Sequence, residues 1–296
     1  LLSSQVTKGM AMMLKMHLER PLPGIPGDRR LTRTIIEKCV ALSPVLQSIM
    51  RANPLGHGCE IIPEFLGLSN DETGVIFRQL PAVGAMPLFS LFSPDPELAD
   101  GGSYIESKLR RLYGDDSAGA AADFGEQLAR PLLRPLLLGF REGFSLELHA
   151  QNVVFQPGES TLIDRVFIRD MEGVIFSNRY RAAQGLEPLF TDCDNNALVS
   201  DYSSMTRWFN RNVDHDIGRV FTASLNALED AGYFSAGERA IAVRSIRTAM
   251  RQCVTEARVG RRRRRRGLRR LNDVEDGTRG WLDVAPAGHY YCQRGS

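Results

Sequence analysis

Lysine is scarce in this chain of 296 residues. Lys8, Lys15, Lys38 and Lys108 are the only four among thirty-seven basic residues, the rest being arginine. Such a bias points to a GC-rich coding sequence and carries no function of its own. No apolar run approaches the ~20 residues of a membrane-spanning helix, and no secretory leader is visible, so the expected location is cytoplasmic and no membrane partner is expected. The five cysteines (Cys39, Cys59, Cys193, Cys253 and Cys292) are scattered and lack CxxC spacing, which excludes a zinc or iron–sulfur framework and suits a reducing compartment. A net charge of only +2 excludes a general attraction to nucleic acid. There is no initiating methionine either: the chain begins at Leu1-Leu2-Ser3-Ser4, as a fragment of a longer protein would.

What is present is organised around residues 144 to 174. Two apolar, β-branched runs, Val153–Phe155 and Leu162–Ile168, flank Gln156-Pro157-Gly158-Glu159-Ser160. Apolar runs on both sides of a Pro-Gly turn predict a β-hairpin with a loop of four or five residues. Its outer ends carry Glu147, His149, Gln151 and Asn152 on one arm and Arg169, Asp170 and Glu172 on the other. Folding the hairpin brings these groups together. An imidazole, two amides and a carboxylate suit a nucleotide phosphate and its magnesium, because magnesium takes hard oxygen ligands and keeps waters beside one or two carboxylates. The competing reading is that Asp170 and Arg169 pair with strand charges while Asn152 and Gln151 cap a turn.

Upstream, Met10–Leu18 predicts a strand carrying Lys15, followed by a Pro/Gly-rich connection and the basic stretch Arg29-Arg30-Leu31-Thr32-Arg33. A lysine point charge beside an arginine fork is one way to hold phosphate; a lysine at a strand edge with its head in water is the other. Cys59–Glu64 and Val75–Arg78, joined through Ser69–Gly74, predict a second hairpin in which Glu64 and Arg78 could form a cross-strand pair on a solvated face. From 103 to 143 the apolar spacing turns helical, with a kink or restart expected at Pro131 and a C-cap at Gly143. Asn178–Asn196 is expected to be loop, and Met205–Leu228 and Ala236–Val259 amphipathic helices.

Residues Glu147, His149, Gln151 and Asn152 followed by Arg169-Asp170 resemble the signature of the IucA/IucC family of siderophore synthetases, which work without a nonribosomal peptide synthetase. Leu14-Lys15-Met16 resembles that family's lysine strand, Ile25–Leu31 its phosphate-binding stretch with Arg30 at the arginine, and Val40–Ser43 the end of the turn that follows. Pro26 and Gly27 replace the family's hydroxyls, and about three extra residues separate Lys15 from Arg30. The resemblance covers only the C-terminal half of such proteins, from about residue 8 to about 258.

It implies an α+β fold. Residues 1–100 would form part of an antiparallel, fingers-like sheet holding ATP. Residues 101–259 would form a mostly helical, palm-like domain with the hairpin. The implied activity is ATP-dependent adenylation of a citrate-type or dicarboxylate acid and its condensation with an amine or hydroxyl. Asp170 and Asn152 would hold Mg2+, His149 and Lys15 the phosphates, and Arg30 the α-phosphate as charge develops. Gln151 and Glu147 would position the pocket, and Arg78 would receive a substrate carboxylate. A homodimer is a further expectation.

The helical pair corresponds to a region labelled FhuF-like after ferric reductases, but an isolated Cys292 excludes that chemistry. Two rivals remain. A kinase-like phosphotransferase would need a catalytic-base aspartate and a Gly-rich loop, which are lacking. A non-catalytic domain could grip nucleic acid with Arg261–Arg266, although residues 260–296 are expected to be a disordered tail.

Overall fold

The computed structural model describes residues 12–16, 31–70, 74–95, 101–189, 207 and 209–259. Arg30, the Arg261–Arg266 run, Cys193 and Cys292 lie outside them.

The lysine segment forms strand β1 (Met12–Met16) as expected. The 58–92 region is built differently. Pro63, which has no N–H for a ladder, divides Cys59–Glu64, so that β2 (Cys59–Ile61) and β3 (Glu64–Ser69) enter different sheets. The second hairpin is therefore β3 with β4 (Gly74–Gln79), and β4 is the middle strand of an antiparallel β1-β4-β3 sheet. Along β4, Ile76 and Arg78 are buried while Val75 and Phe77 are half-buried, the period of two that gives a sheet one inner face. The register sets Lys15 opposite Ile76 and Glu64 opposite Arg78, which puts all four on that inner face.

A helix packs against this sheet. Ile36, Cys39, Leu42, Leu46 and Met50 recur at three and four positions and form the buried stripe of α1 (Arg33–Arg51), whose first turn is capped by the Thr32 hydroxyl accepting from Ile35 N at 3.3 Å. Val40–Ser43, expected at the end of a turn, lies inside this helix.

The central hairpin exists, with a longer loop than expected. β7 (Val153–Gln156) pairs with β8 (Arg165–Ile168), and the loop runs from 157 to 164. Leu162 and Ile163 are buried as a turn rather than as strand, because two helices pin the loop: Leu162 N donates to Gln127 Oε1 (2.8 Å) and Lys108 Nζ to Gly158 O (2.6 Å). β2 adds in parallel beside β8, and β5 (Met86–Pro87) antiparallel beside β7. Strands from before residue 100 thus flank the hairpin on both sides. The architecture is mixed α+β, with an antiparallel sheet, a four-stranded mixed sheet and several helices.

The helical region contains α2 (Tyr104–Tyr113), α3 (Ser117–Phe124) and α4 (Arg130–Glu142). The restart expected at Pro131 takes the form of a π-helical segment, Gly125–Ala129, leading into α4 with Pro131 in its first turn. Proline has no N–H to give back to the preceding turn, which favours a looser helical register there. Gly143 ends α4 at φ 81°, a left-handed C-cap, and β6 (Phe144–Ser145) then pairs with β9 (Ile175–Phe176). Asn178–Ala183, expected to be loop, is a short helix α5, because Ser177 Oγ accepts from Tyr180 N (3.1 Å) and caps it. A second π-helical segment, Asn212–Ile217, continues into α6 (Gly218–Asp230), and α7 (Ala236–Val259) follows. Leu42, Phe124, Phe144, Phe155, Phe176 and Ile246 lie in one hydrophobic core spanning these elements. None of the described helices is long and apolar enough to cross a membrane.

Candidate functional site

Two groups of polar side chains meet at the outer end of the β7–β8 hairpin. The first is built on the chain leaving β6. Alternation buries Leu146 and Leu148 and turns Glu147 and His149 to the other side. The segment is tied down by Asn212, which accepts from Leu148 N at 3.0 Å and donates to Ser145 Oγ at 3.0 Å. A turn follows in which Asn152 N donates to His149 O (2.9 Å). The Asn152 side chain is buried, and its Nδ2 donates to Glu147 Oε2 at 3.2 Å, with His149 Nε2 3.8 Å from the same oxygen. Gln151 is exposed; its backbone carbonyl accepts from Arg169 Nε at 3.0 Å.

The second group begins where β8 ends. Arg169 N donates to Asn152 O at 3.0 Å, which places the two arms of the site side by side. Asp170 then adopts φ 72° and ψ 73°, and it is the only non-glycine with positive φ among the described residues. A 3-10 turn, Met171–Gly173, follows. Gly173 lies against Glu147: a Cβ there would overlap Glu147 Oε2, so any larger residue would push the Glu147 side chain aside.

The antiparallel sheet delivers the cations. Lys15 Nζ lies 2.5 Å from Asp170 Oδ1 and 2.6 Å from Glu172 Oε2. Arg78 Nη2 lies 3.2 Å from Asp170 Oδ1, and Arg78 Nε donates to Glu64 Oε1 at 2.5 Å. Helix α1 adds Lys38, whose Nζ donates to the Glu172 backbone carbonyl at 2.7 Å. The Glu64–Arg78 pair expected on a solvated face is therefore on a buried one, with side-chain exposures of 0% and 8%.

The electrostatics follow from these contacts. Burial alone would raise the Asp170 carboxyl, but Lys15 and Arg78 outweigh it and hold the group below its ordinary value. Burial alone would lower the Lys15 ammonium, and Asp170 and Glu172 together raise it instead. The Arg169 guanidinium is lowered, by burial and then by Arg78. Asp216 lies in the π-helical segment that also supplies Asn212. Its carboxyl is raised by burial against the opposing pull of His149 and Arg211, with Glu147 reinforcing the rise.

The structure thus brings Lys15, Arg78, Glu147, His149, Asn152 and Asp170 to one end of the hairpin. It turns the Gln151 side chain outward, and Arg30 lies outside the described residues. Sequence reasoning placed Glu172 in the hairpin's polar cluster without a specific role, and gave Lys38, Asn212 and Asp216 no part. Lys38 left a readable signal: one of four lysines, it falls on the apolar stripe of α1.

The donor set fits a magnesium ion. Both contacts to Asp170 fall on Oδ1, and among the described residues Oδ2 accepts no bond. Carboxylate and amide oxygens are hard ligands, and a cation, the Lys15 ammonium, already lies between the Asp170 and Glu172 carboxylates. Among the described residues no three His, Cys, Asp or Glu side chains form a closed metal cage.

No protein-family model and no curated protein matches the sequence. Solved structures do resemble the fold. The ATP-bound aerobactin synthetase IucA from a hypervirulent pathotype of Klebsiella pneumoniae superposes with a TM-score of 0.65 at 20% identity, over 83% of this chain and 45% of that one. A second structure of IucA from the same source gives 0.61 at 18% identity, over 83% and 44%. Aerobactin synthetase IucC from that pathotype gives 0.57 at 16% identity, again over 83% and 44%. At these identities the likeness is one of fold. The chain spans less than half the length of each of these synthetases.

Proposed function

We propose that this chain is the nucleotide-binding part of an IucA/IucC-type siderophore synthetase, an ATP-dependent ligase acting in the cytoplasm. The observation that supports this most is the convergence of Lys15, Asp170, Asn152 and His149 at one hairpin end, in a fold that aerobactin synthetases share. In this reading, residues 1–100 supply the fingers-like sheet β1-β4-β3 and also the strands β2 and β5 that flank the hairpin, and 101–259 supply the palm-like helices with the hairpin.

The reaction is adenylation followed by acyl transfer. A carboxylate oxygen of a citrate-type or dicarboxylate acid attacks the α-phosphorus of ATP, and pyrophosphate leaves. An amine or hydroxyl then attacks the acyl carbon, AMP leaves, and the nucleophile loses a proton. Magnesium supplies charge neutralisation to the phosphates. Asp170 and Asn152 would hold it through oxygen, with Glu147 fixing the Asn152 amide by its hydrogen bond. Lys15 moves from its carboxylates to the phosphates, where its point charge opposes developing negative charge. His149 donates to a phosphate oxygen, and Arg30 serves the α-phosphate.

The test is to incubate the chain with ATP, magnesium and a citrate-type acid and to separate the products. Acid-stimulated pyrophosphate release, absent in Asp170→Ala, is expected. Release of ADP and inorganic phosphate in its place would overturn the adenylating reading.

A further inference from the structure

Asp170 is held in a backbone conformation that L-residues disfavour, at a cost on the order of 1–2 kcal/mol. Such a geometry persists only when its surroundings over-determine it. The next peptide supplies one restraint: Met171 N donates to Glu64 Oε2 at 3.4 Å. The other Glu64 oxygen accepts from Arg78 Nε, and Arg78 Nη2 approaches Asp170 Oδ1. Glu64 is itself fixed, since its backbone N donates to Ser43 Oγ at 2.9 Å. One buried carboxylate and one buried guanidinium thus restrain both the peptide after Asp170 and its carboxylate.

Stability alone gives little reason for such a pair. Taking two charges out of water costs several kcal/mol per ion, and apolar replacements of similar volume are often neutral or stabilising. Arg78 Nη2 adds to that cost: it is buried, and the Asp170 contact is close enough for attraction without being aligned for a hydrogen bond. A buried donor left in this state is better explained by what it faces than by what it stabilises.

We propose that Glu64 and Arg78 are positioning residues for Asp170. They anchor its Oδ1 and its left-handed backbone, so that Oδ2 is presented to the nucleotide's magnesium. Arg78 is then withdrawn from the substrate-carboxylate role expected of it. The proposal rests on the ATP-binding reading above.

The test compares wild type with Glu64→Gln, Arg78→Lys and the apolar double variant Glu64→Leu/Arg78→Met, each also in an Asp170→Asn background. Two quantities are measured on the full chain: the magnesium concentration for half-maximal ATP binding, and the hydrogen-exchange rate of the Met171 amide without ligand. Outer-shell partners of metal ligands typically govern affinity by 10–100-fold. The magnesium midpoint should accordingly rise about tenfold in each variant, and the rise should vanish in the Asp170→Asn background. Met171 exchange should speed up relative to the β7–β8 amides of the same variant. The double variant should show both effects while keeping near wild-type thermal stability. A lowered melting temperature with the magnesium midpoint unchanged would reduce the pair to a structural one and overturn the proposal, as would unchanged Met171 exchange. Where the wild-type chain itself binds no ATP, the nucleotide reading fails, and the exchange rate alone decides the positioning claim.

Discussion

Replacing Glu172 by Gln should tighten nucleotide binding, although Glu172 sits in the site. In the ligand-free chain the Lys15 ammonium is shared between Asp170 and Glu172, at 2.5 and 2.6 Å. To reach a phosphate it must leave both. The Glu172 contact is the weaker hold, because that side chain is 42% exposed against 25% for Asp170. A partly exposed ion pair is worth about 0.5–1 kcal/mol after screening and side-chain entropy. Removing it destabilises the free chain by that amount and leaves unchanged the proposed nucleotide-bound state, in which Lys15 has moved to the phosphates. A ligand's affinity shifts by the free energy separating the two states, so the dissociation constant for Mg–ATP should fall about 2- to 5-fold. The turn itself should survive, since Lys38 grips the Glu172 carbonyl rather than its side chain. Titration calorimetry on wild type and Glu172→Gln reads the change directly. Weaker binding in the variant would refute the reasoning and show that Glu172 serves the bound state.

Other consequences follow from the same contacts. Gly173→Ala should weaken nucleotide binding severalfold by displacing Glu147, and thereby Asn152, while leaving the far-UV spectrum unchanged; equilibrium dialysis with labelled ATP would check it. Cys39, Cys59 and Cys253 are buried, and burial raises their thiols, Cys59 and Cys253 to about 12. A thiol reagent at pH 8 should therefore label at most two of the five cysteines until denaturant is added. Ser235 and Glu238 form a reciprocal cap on α7, with Ser235 N donating to Glu238 Oε2 at 2.6 Å. Hydrogen bonds from Ser117 and Ser235 depress the Glu238 carboxyl below 4.5. Its contribution is present above that value and lost as pH falls through the lower folded value. The protection factors of the first-turn amides of α7, taken against the unstructured-peptide rate at each pH, should fall as the pH drops below 4.5, and unchanged protection factors would refute the cap.

The elements that carry the site were legible where one local rule decided them. The Val153–Phe155 run, the Lys15 strand and the Gly143 C-cap each depend on neighbours within a few residues. What escaped was set by distant partners. Lys15 and Asp170 are separated by 155 residues, and no spacing in the sequence declares that they meet. Pro63 is visible as a ladder breaker, but the parallel pairing of Cys59–Ile61 with Val166–Ile168 depends on where the hairpin lands. The hairpin loop was read too short because Leu162 and Ile163 look like strand, and only their packing in a turn pinned by Gln127 and Lys108 shows otherwise. Helix α1 was passed over although Ile36, Cys39, Leu42, Leu46 and Met50 keep three-and-four spacing, because Val40–Ser43 was read as the end of a turn. The buried Lys38 beside that stripe finds its partner in the distant carbonyl of Glu172. The face of the Glu64–Arg78 pair was misjudged in the same way, since a strand pattern gives the pairing but not what packs over it.

The central claim is that the Lys15–Asp170–Asn152 end of the hairpin binds ATP through magnesium. Calorimetric titration of ATP into the full chain, with magnesium and with chelator, tests it most directly, with Asp170→Ala run alongside. The account predicts saturable binding that requires magnesium and disappears in the variant. Binding that is indifferent to magnesium and to Asp170, or no binding by the wild-type chain, would contradict it.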